Sequence, residues 1–126
     1  MLDLCVSLLK EGIDLYSKSK GVKNETKLRI SVLLEEISNV IHDTAKKIEK
    51  NEYPHFNCSL MEKMSQKLIF YLKEHLPENI INDIELSLRE AGQVEKLFAS
   101  RNEEGVIEKL YSHATNIKTI SMFLKV

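Results

Sequence analysis

Tryptophan is absent from this chain and aromatic residues make up only 6% of it, which argues against a stacking platform for sugars or nucleobases. Prolines number two and glycines four in 126 residues. That is little turn material, so few, long elements are expected. There are two cysteines, Cys5 and Cys58, far apart in the chain. Each is expected to be a buried free thiol in a reducing, cytoplasmic compartment. No run reaches the ~18–20 apolar residues that span a bilayer, so a soluble folded protein is expected. Basic residues do not precede the apolar start, and Lys10 and Glu11 interrupt it too early for a secretory signal peptide. An excess of either charge is missing too: the net charge is −1, which argues against general nucleic-acid binding.

What the chain does have is helical periodicity throughout, and no sustained alternation of the strand type. The first sixteen residues, MLDLCVSLLKEGIDLY, are more apolar than a surface helix needs. At about 100° per residue, Leu2, Cys5, Val6, Leu9, Ile13 and Tyr16 share one face. Leu4, Leu8 and Leu15 form a second ridge beside it. The apolar arc is roughly 200° wide, against the ~100° stripe that usually meets a core. Such a helix needs cover on two sides or another apolar medium. The residues singled out as its active surface are Leu2, Leu4, Leu8, Leu9, Ile13 and Leu15.

A basic run follows: Lys18, Lys20, Lys23, Lys27 and Arg29 against the single acid Glu25. Between Glu78 and Glu108 there are eight acids, and beyond Glu108 only Lys109, Lys118 and Lys125 carry charge. Solvated helix faces account for most such runs. The five cations beside the apolar helix also fit an anionic lipid surface, where each contributes about 1 kcal/mol.

Five helical segments are expected. The first covers about residues 2–18. The second covers 25–50, with Asn24 as N-cap and a stripe of Leu28, Ile30, Leu34, Ile37, Ile41, Ala45 and Ile48. The loop NEYPHFN follows, and Ser59-Leu-Met-Glu62 has the form of a capping box for a third helix. That helix presents Leu60, Met61, Met64, Leu68, Tyr71, Leu72 and His75 on one side, with Phe70 beside the stripe. A fourth helix is expected over 78–100, weakened at Gly92. A fifth is expected over 103–124, capped by Ser100-Arg-Asn-Glu103. Short connections make neighbours antiparallel. The expected architecture is therefore all-α: one domain over residues 1–126, an up-and-down bundle of four principal helices over 25–124, with the short N-terminal apolar helix, 1–18, packed on it or completing it.

Chemistry is thinly represented. His55 and Cys58 stand three residues apart, but a structural zinc site takes four ligands, usually two close pairs. As base and nucleophile the same two residues lack an orienting third group. Glu-x-x-His occurs only as Glu52/His55, in a loop made by Pro54, so no di-iron bundle motif is present. Phosphate-binding glycine patterns are missing. No catalytic residue, metal or cofactor is assigned. Met61, Met64 and Met122 are read as core filling, and Tyr53, Phe56 and Phe70 as the aromatics to watch for exposure.

The order of parts is an apolar helix from Met1, the basic connection Lys18 to Arg29, a long helix reading LRISVLLEEISNVI, and the EYPHFNC turn. This layout resembles the HeLo-like cell-death domains of fungi and their proposed bacterial counterparts, the Bell domains. The resemblance covers nearly all of the chain. It implies a bundle triggered to oligomerise, whose first helix is released to permeabilise a membrane; members of these families are often joined to an amyloid signalling motif or a sensor domain, and no such appendage is visible in these 126 residues. The competing expectation is a non-catalytic interaction module or adaptor with a permanently buried first helix.

Overall fold

The computed structural model describes residues 10–11, 13–14, 18, 23–91 and 93–125. Among them there is no strand. Five helices have both ends among the described residues: α1 (Asn24–Glu49), α2 (Asn57–Leu72), α3 (Glu78–Ala91), α4 (Val94–Ala99) and α5 (Val106–Lys125). Of the expected N-terminal helix, Lys10, Glu11, Ile13, Asp14 and Lys18 are described and helical.

The long helix forms as its 3.6-residue stripe requires. Ile30, Leu34, Ile37, Ile41, Ala45 and Ile48 are all buried. Leu28 is not; it is 53% exposed. Two residues before Ile30, it lies about 160° round the helix from the stripe. Asn24 is not the N-cap. The helix already includes it, Lys23 holds the cap position, and no side chain caps the start. At the other end Asn51 adopts φ 61°. Its N–H reaches Ile48 O at 2.9 Å, and Glu52 N–H reaches Lys47 O at 2.8 Å. These two bonds make a Schellman closure, with asparagine in the left-handed position usually held by glycine.

Both predicted capping boxes fail, for local reasons. The turn after Pro54 runs directly into α2, with Asn57 N–H on Pro54 O at 3.2 Å. The helix has therefore begun before Ser59. Ser100 ends α4 instead of starting α5: its hydroxyl donates to Lys96 O and Leu97 O at 3.0 and 3.2 Å. Gly105, at φ 84°, then turns the chain in a conformation that L side chains resist, so α5 starts at Val106. The expected helix over 78–100 is two helices, parted between Ala91 and Val94, where the sequence places Gly92.

The helices pack in the spatial order α5, α1, α2, α3. The α1–α5 contact is the most extensive, and its core contains two serine contacts. Ser31 Oγ donates to Ser121 O at 2.8 Å, and Ser121 Oγ donates to Ser31 O at 2.7 Å. Seven residues further along α1, and seven back along α5, Ser38 Oγ donates to Ala114 O at 2.5 Å. These pairs make the two helices antiparallel. Side chains this small bring the backbones close enough for a hydroxyl on one helix to reach a carbonyl on the other. Leu110, Ala114, Ile117, Ile120 and Leu124 of α5 close over the stripe of α1. On the far side, Met61, Leu68 and Leu72 of α2 and Ile81, Ile84 and Leu88 of α3 complete the core. Leu60, expected inside, points out because it sits about 100° from Met61. The α1–α2 loop is held from outside: Tyr53 meets the Phe98 ring edge-on at 5.2 Å, and Arg101 lies 4.1 Å over the same ring while bonding Asn51.

Ser31→Ala removes one net hydrogen bond and is expected to cost about 1 kcal/mol of unfolding free energy. Ser31→Leu wedges the helices apart and should cost roughly 1–3 kcal/mol more. Urea denaturation of the two variants measures the difference; equal losses would mean that the helices are not in close contact at this point.

Candidate interaction surface

Asn57 fixes the rotation of α2. It is a buried polar residue at the start of the helix, 2% exposed. Its Nδ2 donates to Thr44 Oγ1 at 2.7 Å and to Asp43 Oδ2 at 3.2 Å, and lies 3.5 Å from Val40 O. Thr44 Oγ1 in turn donates to Val40 O at 2.8 Å. Asp43 also pairs with Lys47 at 3.1 Å. Partial burial pushes the Asp43 carboxyl up, but hydrogen bonds from Lys47 and Asn57 and the charges of Lys47 and Lys46 outweigh it. The net result is a pKa below the ordinary aspartate value.

With Asn57 and Met61 turned to α1, the helical period carries Phe56, Leu60, Lys63, Lys67 and Phe70 away from that contact, on average about 120° round the helix. All five are exposed, Phe56 at 76%, Phe70 at 60% and Leu60 at 47%. Single exposed apolar residues are ordinary, but three on one ridge of one helix are less so. Lys73 Nζ lies 4.9 Å from the Phe70 ring centroid, and Tyr71 meets that ring edge-on at 5.8 Å. A shallow depression lined by Lys63, Gln66, Lys67, Phe70 and Tyr71 opens on the same side.

A second concavity, of about 350 Å³, separates α2 from α3. Met61, Ile69 and Leu88 give it an apolar lining, and Ser65 Oγ is buried there with no hydrogen bond among the described residues. Its α3 wall carries the Glu85–Arg89 pair at 3.2 Å.

The remaining residues of interest are dispersed. Cys58 lines that cleft and is an exposed free thiol. This corrects the expectation of burial, because the buried positions of the first turn go to Asn57 and Met61. His55 is exposed and packs edge-on to Tyr53 at 4.9 Å. No cluster of three His, Cys, Asp or Glu residues suited to a metal occurs among the described residues. Ile13 is buried, at 4% exposure, and joins the core. Leu2, Leu4, Leu8, Leu9 and Leu15 lie outside the described residues, as does Lys20. Lys18, Lys23 and Arg29 are exposed and Lys27 is half-buried. Arg29 is drawn to Glu25 at 2.9 Å, so the basic run is partly neutralised. Met61 is core as expected, whereas Met122 is exposed.

No family model matches this chain, and comparison with curated proteins and with solved structures finds no match.

Because folding lowers the Asp43 pKa, its stabilising contribution is complete above the unfolded value near pH 4. It is lost as pH falls through the lower folded value. Asp43→Asn should therefore flatten the acid limb of a stability–pH profile below about pH 4; an unchanged limb would remove Asp43 from the account. Asn57→Ala, which strips the partner from the Thr44–Asp43 pair, should cost roughly 1–3 kcal/mol at neutral pH in the same denaturation measurement.

Proposed function

We propose that this chain is a non-catalytic effector domain that acts on membranes from the cytoplasmic side. In this reading it is an up-and-down bundle whose N-terminal apolar helix, residues 1–18, is released on oligomerisation and permeabilises an anionic bilayer. The resemblance to HeLo-like and Bell domains points the same way. The observation that carries the reading is the environment of Ile13. Its side chain is buried in the bundle core, while Lys18 and Lys23, close after it in sequence, are exposed to solvent. An apolar segment with a side chain in the core and cations following it has the make-up of a latched element in this reading. Burial of Ile13 contributes about 1.5–3 kcal/mol to holding the segment, and release calls for a partner whose differential binding exceeds the whole of that hold. No helix among the described residues is long and apolar enough to cross a membrane. In this reading the N-terminal helix acts by interfacial insertion as an amphipathic helix, with an upstream sensor or signalling protein supplying the trigger.

A second reading, a helical interaction module or adaptor, is favoured by the cleft between α2 and α3. There the half-buried Ile69 lies beside the buried Met61 and Leu88 at the base of a recess between two helices, a form of site that accepts a partner helix.

Dye release from phosphatidylserine-containing vesicles separates the two. The full chain, oligomerised through a fused inducible dimeriser, is expected to leak them. Leu9→Glu is expected to abolish leakage with helix content unchanged by circular dichroism. If the induced oligomer leaves vesicles intact, the membrane-permeabilising reading fails and the adaptor reading takes its place.

A further inference from the structure

We propose that the outward ridge of α2 is a docking face for an anionic bilayer surface, separate in sequence from residues 1–18 and available while Ile13 is buried in the core. The inference rests on the membrane reading only for the class of partner; its residues and geometry are its own.

The ridge is defined by helical period. Phe56, Leu60, Lys63, Lys67 and Phe70 fall within an arc of about 80° at 100° per residue and extend roughly 21 Å along the helix at 1.5 Å per residue. Every one is exposed. Apolar side chains stand at both ends and cations between them. Neither Lys63 nor Lys67 forms an ion pair among the described residues, where the three pairs present join other residues four apart on one helix. Lys73 adds a third cation beside Phe70. The first turn of α2 contains no acid.

Charge complementarity calls for an anionic partner, and the shape of the ridge favours a lipid surface over a protein. A planar interface meets a straight ridge along its whole length. Phenylalanine and leucine can enter the headgroup boundary while lysines lie along it, their stems apolar and their ammonium groups at the phosphates. The depression lined by Lys63, Lys67, Phe70 and Tyr71 places aromatic surface and two cations where a lipid headgroup would sit. The position is also fixed from inside: Asn57 sets the rotation of α2 against α1, so the ridge is presented without rearrangement of the core.

The test is co-sedimentation of the full chain with phosphatidylcholine vesicles, with and without phosphatidylserine. The wild-type chain is expected to bind the phosphatidylserine vesicles only, and less at high salt. The exposed double variant Lys63→Glu, Lys67→Glu should weaken binding by roughly thirty-fold or more. Phe70→Ser should weaken it while leaving the salt dependence in place. Leu9→Glu should bind as the wild type does. Binding that ignores the α2 variants, or that is equal on neutral vesicles, overturns the proposal. So does a concentration-dependent dimer that Phe70→Ser abolishes without any vesicle binding, which would make the ridge a self-association face. Leakage without α2-dependent binding removes this docking face and leaves the inserting helix standing; α2-dependent binding without leakage does the reverse.

Discussion

The close approach of α1 and α5 is the constraint on which the rest of this bundle depends. Ser31 and Ser121 exchange hydroxyl-to-carbonyl hydrogen bonds in a site from which water is excluded. Ser38 repeats the contact on Ala114. Such bonds contribute only modestly in net free energy, but buried hydroxyls without partners are costly. Their main effect is therefore selective: the helices can pair closely only where each serine finds a carbonyl. That selection brings Ile30, Ile37, Ile117 and Leu124 into one core and leaves the other side of α1 for α2.

Asn57 performs a related task at the α1–α2 contact. Its amide donates to Thr44 and Asp43 together, on the C-terminal half of α1. Because a helix is rigid about its own axis, fixing the azimuth of Asn57 also fixes that of Phe70, more than three turns away. A polar contact in the interior thus decides which side chains the surface displays. Loops are held from the opposite direction, by Arg101 over Phe98 and on to Asn51.

The helical nature of the described chain and most of its core were readable from residue order. The positions from Ile30 to Ile48, from Ile81 to Leu88 and from Leu110 to Leu124 repeat at a period that only a helix can bury on one side. Helix ends were less readable. Ser59 and Ser100 carry the right residues for caps, but the turn at Pro54 and the positive φ of Gly105 moved the boundaries. The serine seam was invisible to a hydrophobic pattern, since Ser31 and Ser38 count there as polar. Asn57 was equally hidden: asparagine beside a proline turn reads as loop, and its partners Asp43 and Thr44 lie across the loop on another helix. Of the surface, Phe56 and Phe70 could be flagged for exposure, and helical period alone sets them on one ridge with Lys63 and Lys67. That this ridge faces outward required the azimuth of α2.

Seven-residue spacing in the α1–α5 seam has a further consequence, for topological uniqueness. Ser31, Ser38 and Ala45 recur at one interval on α1, and Ser121 and Ala114 at the same interval on α5. Sliding one helix by two turns would again set a serine, Ser38, against Ser121, and a small residue, Ala45, against Ala114. The seam alone is nearly degenerate, like a zipper whose teeth mesh in more than one alignment. Unambiguous alignment comes from features that do not recur: the edge-on contact of His42 with Tyr111 at 5.0 Å and the tether from Arg101 to Asn51 at 2.9 Å. Both lie at the same end of the seam, so the alignment of two long helices is set at one end and carried along the rest by helical rigidity.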